Sequence, residues 1–115
     1  MKIYEYQTYE INNFDEANSI IKNTSKKINI LHKYESLIWQ GPFYIRVMNE
    51  KLKKANINYI VDSKENIAIM LSMINLGIKN LAVSKKITDL TFKKINSIAM
   101  QKKVKVILTE KLLKV

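Results

Sequence analysis

Four short, mostly apolar runs recur along the chain, at Ile28–His32, Ile57–Val61, Leu81–Val83 and Val104–Leu108, with a helical pattern between each pair. This alternation constrains the fold more than any other feature. Runs of strand length without polar alternation fit strands buried on both faces, and strands separated by helices come out parallel. Residues 2–11, KIYEYQTYEI, add a more polar first strand rich in tyrosine.

The helix signals fall between these runs. Asn13 with Glu16 three residues later forms a capping-box variant, opening a helix with Phe14, Ala17, Ile20 and Ile21 on one face. Pro42 takes the first position of a second helix reaching about Ala55, with Ile45, Met48 and Leu52 at core spacing. Asp62 or Ser63 can cap a third, which Gly77 closes. Thr88 caps a fourth that ends near Lys102. Lys33–Gly41 reads as a long loop, and 109–115 as a tail of unassigned structure. The order βαβαβαβαβ over residues 1–115 predicts one α/β domain, a three-layer αβα sandwich around a mostly parallel five-stranded sheet. Such a layout is flavodoxin-like, with the first strand at an edge and its direction open.

Composition narrows the chemistry. There is no cysteine and only one histidine, so disulfides, thiol catalysis and multi-histidine zinc sites are excluded. The chain has two glycines and no glycine-rich turn, so neither a dinucleotide fingerprint nor a P-loop is present. No cofactor and no metal is expected. The longest apolar stretch, Ile67–Ile78, is broken by Ser72 and Asn75 and is too short for a bilayer. With no signal-peptide pattern, a soluble cytoplasmic domain is expected.

The net charge is +10, from 20 basic residues against 10 acids. Nineteen of the basic residues are lysine, and Arg46 stands alone. Lysine, isoleucine and asparagine have A/T-rich codons and fill 49 of the 115 positions, so codon bias accounts for part of the charge. The shortage of arginine, whose fork reads bases and phosphates, argues against nucleic acid. In a parallel sheet every helix ends at the strands' amino edge. Lysines at helix ends, among them Lys26, Lys27, Lys53, Lys54, Lys102 and Lys103, should therefore ring that edge. The helix macrodipole alone rewards this arrangement; its functional form would be weak, non-specific phosphate contact.

Ligands of open parallel sheets bind at the carboxyl edge. There the candidates are Trp39, the sole tryptophan, with Asp62, Lys64 and Lys85. Against them stand plainer roles: Trp39 plugging the core, Asp62 capping a helix, His32 simply packed. The third helix is unusually apolar. Beyond a core face of Ile67, Met70, Leu71, Ile74 and Ile78, it carries a second stripe of Ile69, Met73 and Leu76, read as a protein or self-association surface.

Asp62 closing the third strand, Ser84 closing the fourth and Lys111 after the fifth give a layout that resembles the receiver domain of two-component signalling. In receivers those places hold the phosphorylated aspartate, a Ser or Thr, and a lysine. Asn12 and Asn13 replace the receivers' acidic magnesium-binding pair, and Ser63-Lys64-Glu65-Asn66 replaces the proline-containing loop. The resemblance therefore implies a fold without metal-dependent phosphoryl transfer. In size and apolar helices the chain also resembles small stand-alone STAS-type domains.

Three functional readings follow, none requiring an enzyme. The first is a non-catalytic module that forms a homo-oligomer or binds a protein through residues 67–78. The alternative is a small-molecule or anion-binding domain, or a small enzyme, using the carboxyl-edge loops, and the third is lysine-ring contact with nucleic acid.

Overall fold

The computed structural model describes all residues, 1–115. A 3₁₀ turn, Lys2–Glu5, leads into β1 (Gln7–Ile11), α1 (Phe14–Lys22), β2 (Ile28–His32), α2 (Tyr34–Gln40) and α3 (Pro42–Lys51). Then come β3 (Ile57–Asp62), α4 (Ile67–Leu76), β4 (Asn80–Val83), α5 (Asp89–Gln101), β5 (Lys105–Leu108), a 3₁₀ turn at Thr109–Lys111 and β6 (Leu113–Lys114). No helix is long and apolar enough to cross a membrane.

The α/β class and the parallel sheet stand, but the strand number and arrangement differ from expectation. There are six strands, all parallel, in the order β5-β4-β3-β2-β1-β6. The flavodoxin order 2-1-3-4-5 would place β1 between β2 and β3; here β2 lies between β1 and β3. The βα alternation of that layout is kept, while its reversal of direction is missing. Right-handed crossovers that always step the same way put every helix on the same side. The expected three-layer sandwich is thus corrected to a half-barrel with one layer of helices.

The packing follows from this. Ala17, Leu37, Ile45, Met48, Met70, Ile74, Ile95 and Ala99, from all five helices, join Ile30, Tyr59, Val61, Leu81 and Val83 in one core of 21 buried residues. The alternate strand residues Leu31, Ile60, Ala82 and Ile107 face the other way and make a cluster of six with Ile3 and Leu112. The chain ends therefore cover the helix-free face. This explains why Lys2–Glu5 leaves the predicted first strand. The turn seats Ile3, the Ile3 carbonyl accepts from Asn29 Nδ2 at 2.7 Å, and Tyr4 Oη accepts from the Leu108 amide at 3.0 Å. At the other end, Leu112 completes the cluster and β6 pairs with β1, so the tail is structured.

Several local signals act as expected. Asn13 accepts from the Glu16 amide at 2.9 Å, Thr88 accepts from the Thr91 amide at 3.1 Å, and Gly77 closes α4 in the left-handed region at φ +82°. The Lys33–Gly41 segment is corrected from loop to helix α2, which Gly41 at φ +89° separates from α3. His32 is buried. Gln40 gives its amide to the Asn12 carbonyl (2.7 Å), so its oxygen accepts from His32 Nε2 (2.7 Å), and His32 Nδ1 accepts from the Tyr59 hydroxyl (2.8 Å). Burial lowers the His32 pKa and pushes the Tyr59 phenol above its ordinary range, so both stay neutral. They are parts of the core.

Ile3 tests the helix-free cluster, because it is only 8% exposed and belongs to the turn the sequence does not reveal. Ile3→Ala should cost about 2–4 kcal/mol in urea unfolding, the usual range for a buried Ile truncation. A loss below about 0.5 kcal/mol, the level of a surface substitution, would mean that this turn is not part of the folded core.

Candidate functional site

At the carboxyl edge, the ends of β3, β4 and β5 and the C-terminal segment enclose a cleft of about 250 Å³. It is lined by Asp62, Lys64, Glu65, Ser84, Lys86, Thr109, Glu110 and Lys114, without an apolar side chain. Each arrives there for a local reason. Asp62 is the last residue of β3, paired across the ladder with Ala82, so it points to the helix-free face like Ile60 two residues earlier. It does not cap α4: Asn66 does, accepting from the Ile69 amide at 3.1 Å. Asp62 Oδ1 instead accepts from the Lys64 amide at 3.0 Å and shares the Thr109 hydroxyl proton with the Val83 carbonyl, each 3.3 Å from Thr109 Oγ1, leaving Oδ2 without a protein partner.

The electrostatics are mixed. Burial raises the Asp62 pKa, opposed by the bonds from Lys64 and Thr109. Burial pushes Glu110 the same way, but hydrogen bonds from the Lys85 amide and the Ser84 hydroxyl, both 2.9 Å, hold it below the ordinary carboxylate value. The Lys64 ammonium is hydrogen-bonded to Glu35, which lowers the Glu35 pKa and raises that of Lys64, and it lies 5.6 Å from the Tyr34 ring centroid.

Of the residues singled out from sequence, Asp62 and Lys64 meet in this cleft. Lys85 takes part only through its backbone amide, and Lys86 supplies the side chain. Trp39 is elsewhere, 82% exposed on α2. The loop that was to carry it over the sheet folds as a helix, with Leu37 turned into the core and Trp39 away from it. Thr109, Glu110 and Lys114 were missed because they follow the last recognisable strand. Their position just past a parallel strand's carboxyl end was the available signal. The receiver comparison gains nothing here: Lys111 lies by the Tyr4 ring, 5.9 Å from its centroid, and Lys114 lines the cleft instead.

The expected association stripe is less open than its spacing suggests. Met73 is 2% exposed, and Ile69 and Leu76 pack against the main core. In a single layer, α4 has α3 on one side and α5 on the other, so Met73 is buried and Ile69 and Leu76 are half-buried beside it. At the amino edge, Lys27, Lys53 and Lys54 line a larger cleft of about 440 Å³, whereas Lys26, Lys102 and Lys103 lie outside it. No protein-family model matches the chain, and no curated protein is significantly similar to it in sequence.

A raised pKa means that the Asp62 carboxyl favours folding at low pH, and that this contribution is lost as pH rises through its folded pKa. At neutral pH the charged form therefore weakens the fold. Asp62→Asn keeps an oxygen for the Lys64 amide and removes the buried charge. It should stabilise the protein at pH 7 by on the order of 1 kcal/mol in chemical denaturation. That gain should shrink as pH falls towards 3.8, the ordinary aspartate value. A loss of stability at pH 7 would show that the carboxylate is there to hold the fold.

Proposed function

We propose that the chain is a small-ligand-binding domain whose site is the carboxyl-edge cleft. Asp62 carries this reading: a desolvated carboxyl at a strand end, on the wall of a polar cleft, with one oxygen free to accept. An amide would supply the same acceptor to Lys64 without the buried charge, and a group that weakens a fold is commonly retained for what it binds. Open parallel sheets hold ligands outside the carboxyl ends of their strands, and this cleft lies there, although the sheet lacks the winding reversal of the flavodoxin order.

The lining defines the ligand class. Without apolar walls the cleft suits a compact, oxygen-rich molecule, smaller than the ligands of pockets of roughly 300–1,000 Å³. Lys64 is bonded to Glu35 and Lys114 lies 4.0 Å from Glu10, so Lys86 is the lysine of the lining without an acidic partner and suits a single carboxylate or phosphate group, while Asp62 Oδ2 suits a hydroxyl. The ligand expected is a hydroxylated carboxylate or a small phosphate ester. No reaction is assigned to the site.

Titrating ¹⁵N-labelled protein with citrate and with glycerol 3-phosphate should shift the amides of Lys64, Lys85 and Thr109 for at least one of the two. Asp62→Asn should weaken that binding about tenfold, the effect of roughly 1.4 kcal/mol, because its amide nitrogen replaces the free acceptor by a donor. Shifts confined to the opposite edge, or undiminished binding by the variant, would overturn the assignment.

A further inference from the structure

The largest cleft of the molecule lies at the other edge of the sheet. Lys27, Lys53, Lys54 and Lys79 line it, and a second cleft that shares Lys27, Asn58 and Asn80 with it adds Lys2 and Lys105. No acidic residue lines either. The six lysines come from separate places: the turn before β2, the turn after α3, the turn before β4, the start of β5 and the first 3₁₀ turn. Only Lys53 has an acidic partner, Glu50, at 3.2 Å.

Compensation of helix dipoles does not account for so much charge. Helices α1, α3, α4 and α5 each end at this edge, and each contributes about half a negative charge there. That sum, about two, together with Glu50, leaves roughly half of the six lysine charges unmatched. The rest of the lining is mixed: Leu52, Ala55, Ile57 and Tyr59 are apolar, and Asn58 and Asn80 are polar. Asn58 Nδ2 donates to Asn29 Oδ1 at 3.0 Å and Asn80 Nδ2 donates to the Tyr59 carbonyl at 3.4 Å, so each amide has a second N–H available.

We infer that this amino-edge cleft binds a compact polyphosphate, a chain of two or more linked phosphoryl groups, through Lys27, Lys53, Lys54 and Lys79. The shape and the lining favour this over nucleic acid. The positive charge is gathered in a concavity of about 440 Å³. Stacking surface for bases is scarce, since Tyr59 is buried and the ring of Tyr6 at the margin already has the Lys27 ammonium 5.8 Å from its centroid. Lysine serves phosphate as a mobile point charge, and several converging lysines suit a small, densely charged anion. The site is separate from the carboxyl-edge cleft and does not depend on a ligand there.

The test is calorimetric titration of the whole chain with inorganic tripolyphosphate, orthophosphate, a nucleoside triphosphate and a twelve-nucleotide RNA. The double variant Lys54→Ala/Lys79→Ala is set against Lys93→Ala/Lys94→Ala, whose lysines are exposed on α5 and line neither cleft. Tripolyphosphate should bind at least about tenfold more tightly than orthophosphate and weaken steeply with salt. The cleft variant should lose about tenfold in affinity and the α5 variant less than about twofold, with melting temperatures unchanged. A nucleoside triphosphate binding more tightly than tripolyphosphate would identify a nucleotide as the source of the chain, and equal binding a free polyphosphate; either supports the site. Equal losses in the two variants, no preference over orthophosphate, or binding of RNA alone would overturn it.

Discussion

The crossovers in this chain always step in one direction, and the rest of the structure depends on that. In a parallel sheet that reverses its winding, helices cover both faces. Here β1 to β5 follow in sequence order, so all five helices share one face. The other face carries Leu31, Ile60, Ala82 and Ile107, which need cover as much as any core residue. Only the chain ends remain to provide it. Ile3 and Leu112 are therefore structural, and the C-terminal segment is drawn to the free edge of β1, where β6 pairs.

The same constraint makes polar groups tolerable inside the sheet. Towards the amino end of the helix-free face, Thr8, Asn29 and Asn58 are register neighbours on adjacent strands. Asn29 donates to Thr8 Oγ1 at 3.0 Å and to the Ile3 carbonyl, and accepts from Asn58. A buried amide costs little once its donors and acceptors are matched, and a ladder of them fixes strand register. At the carboxyl end of this face the polar positions are Asp62, Ser84 and Thr109, and these border a cleft. The face thus has a satisfied polar row at one end, an apolar middle and, at the other, a carboxyl whose Oδ2 opens onto the cleft.

The alternation of strands and helices was legible because it is a local property of the sequence. Apolar runs in β2 to β5 and the caps at Asn13, Thr88 and Gly77 needed no tertiary knowledge. Strand order was not legible, since a strand buried on both faces reads the same whether its neighbour is the preceding strand or another one. The errors follow from that gap. Asn29 sits in a run that otherwise looks wholly apolar, yet it is the centre of the polar ladder. Lys2–Glu5 has strand composition but is bent away to cover the helix-free face. Leu113 and Lys114 are too few to show a pattern, and only the vacant edge of β1 makes them a strand. Asp62 and Lys64 were found because strand ends are visible; Thr109, Glu110 and Lys114 were not, because their role depends on where the chain goes after β5.

The apolar character of α4 illustrates how topology changes the meaning of a sequence signal. An outer helix of a two-sided sheet can leave a broad flank to water, so a second apolar stripe there would point to a partner. In a one-sided layer a middle helix meets the sheet below and a helix on each side, and only its outermost strip is free. Met70, Met73 and Ile74 are buried, and Ile69 and Leu76 fill the seams towards the neighbouring helices. Ile67 and Leu71, expected on the core face, are instead exposed on the outward strip. The excess of apolar residues on α4 is therefore a measure of how many neighbours the fold gives it.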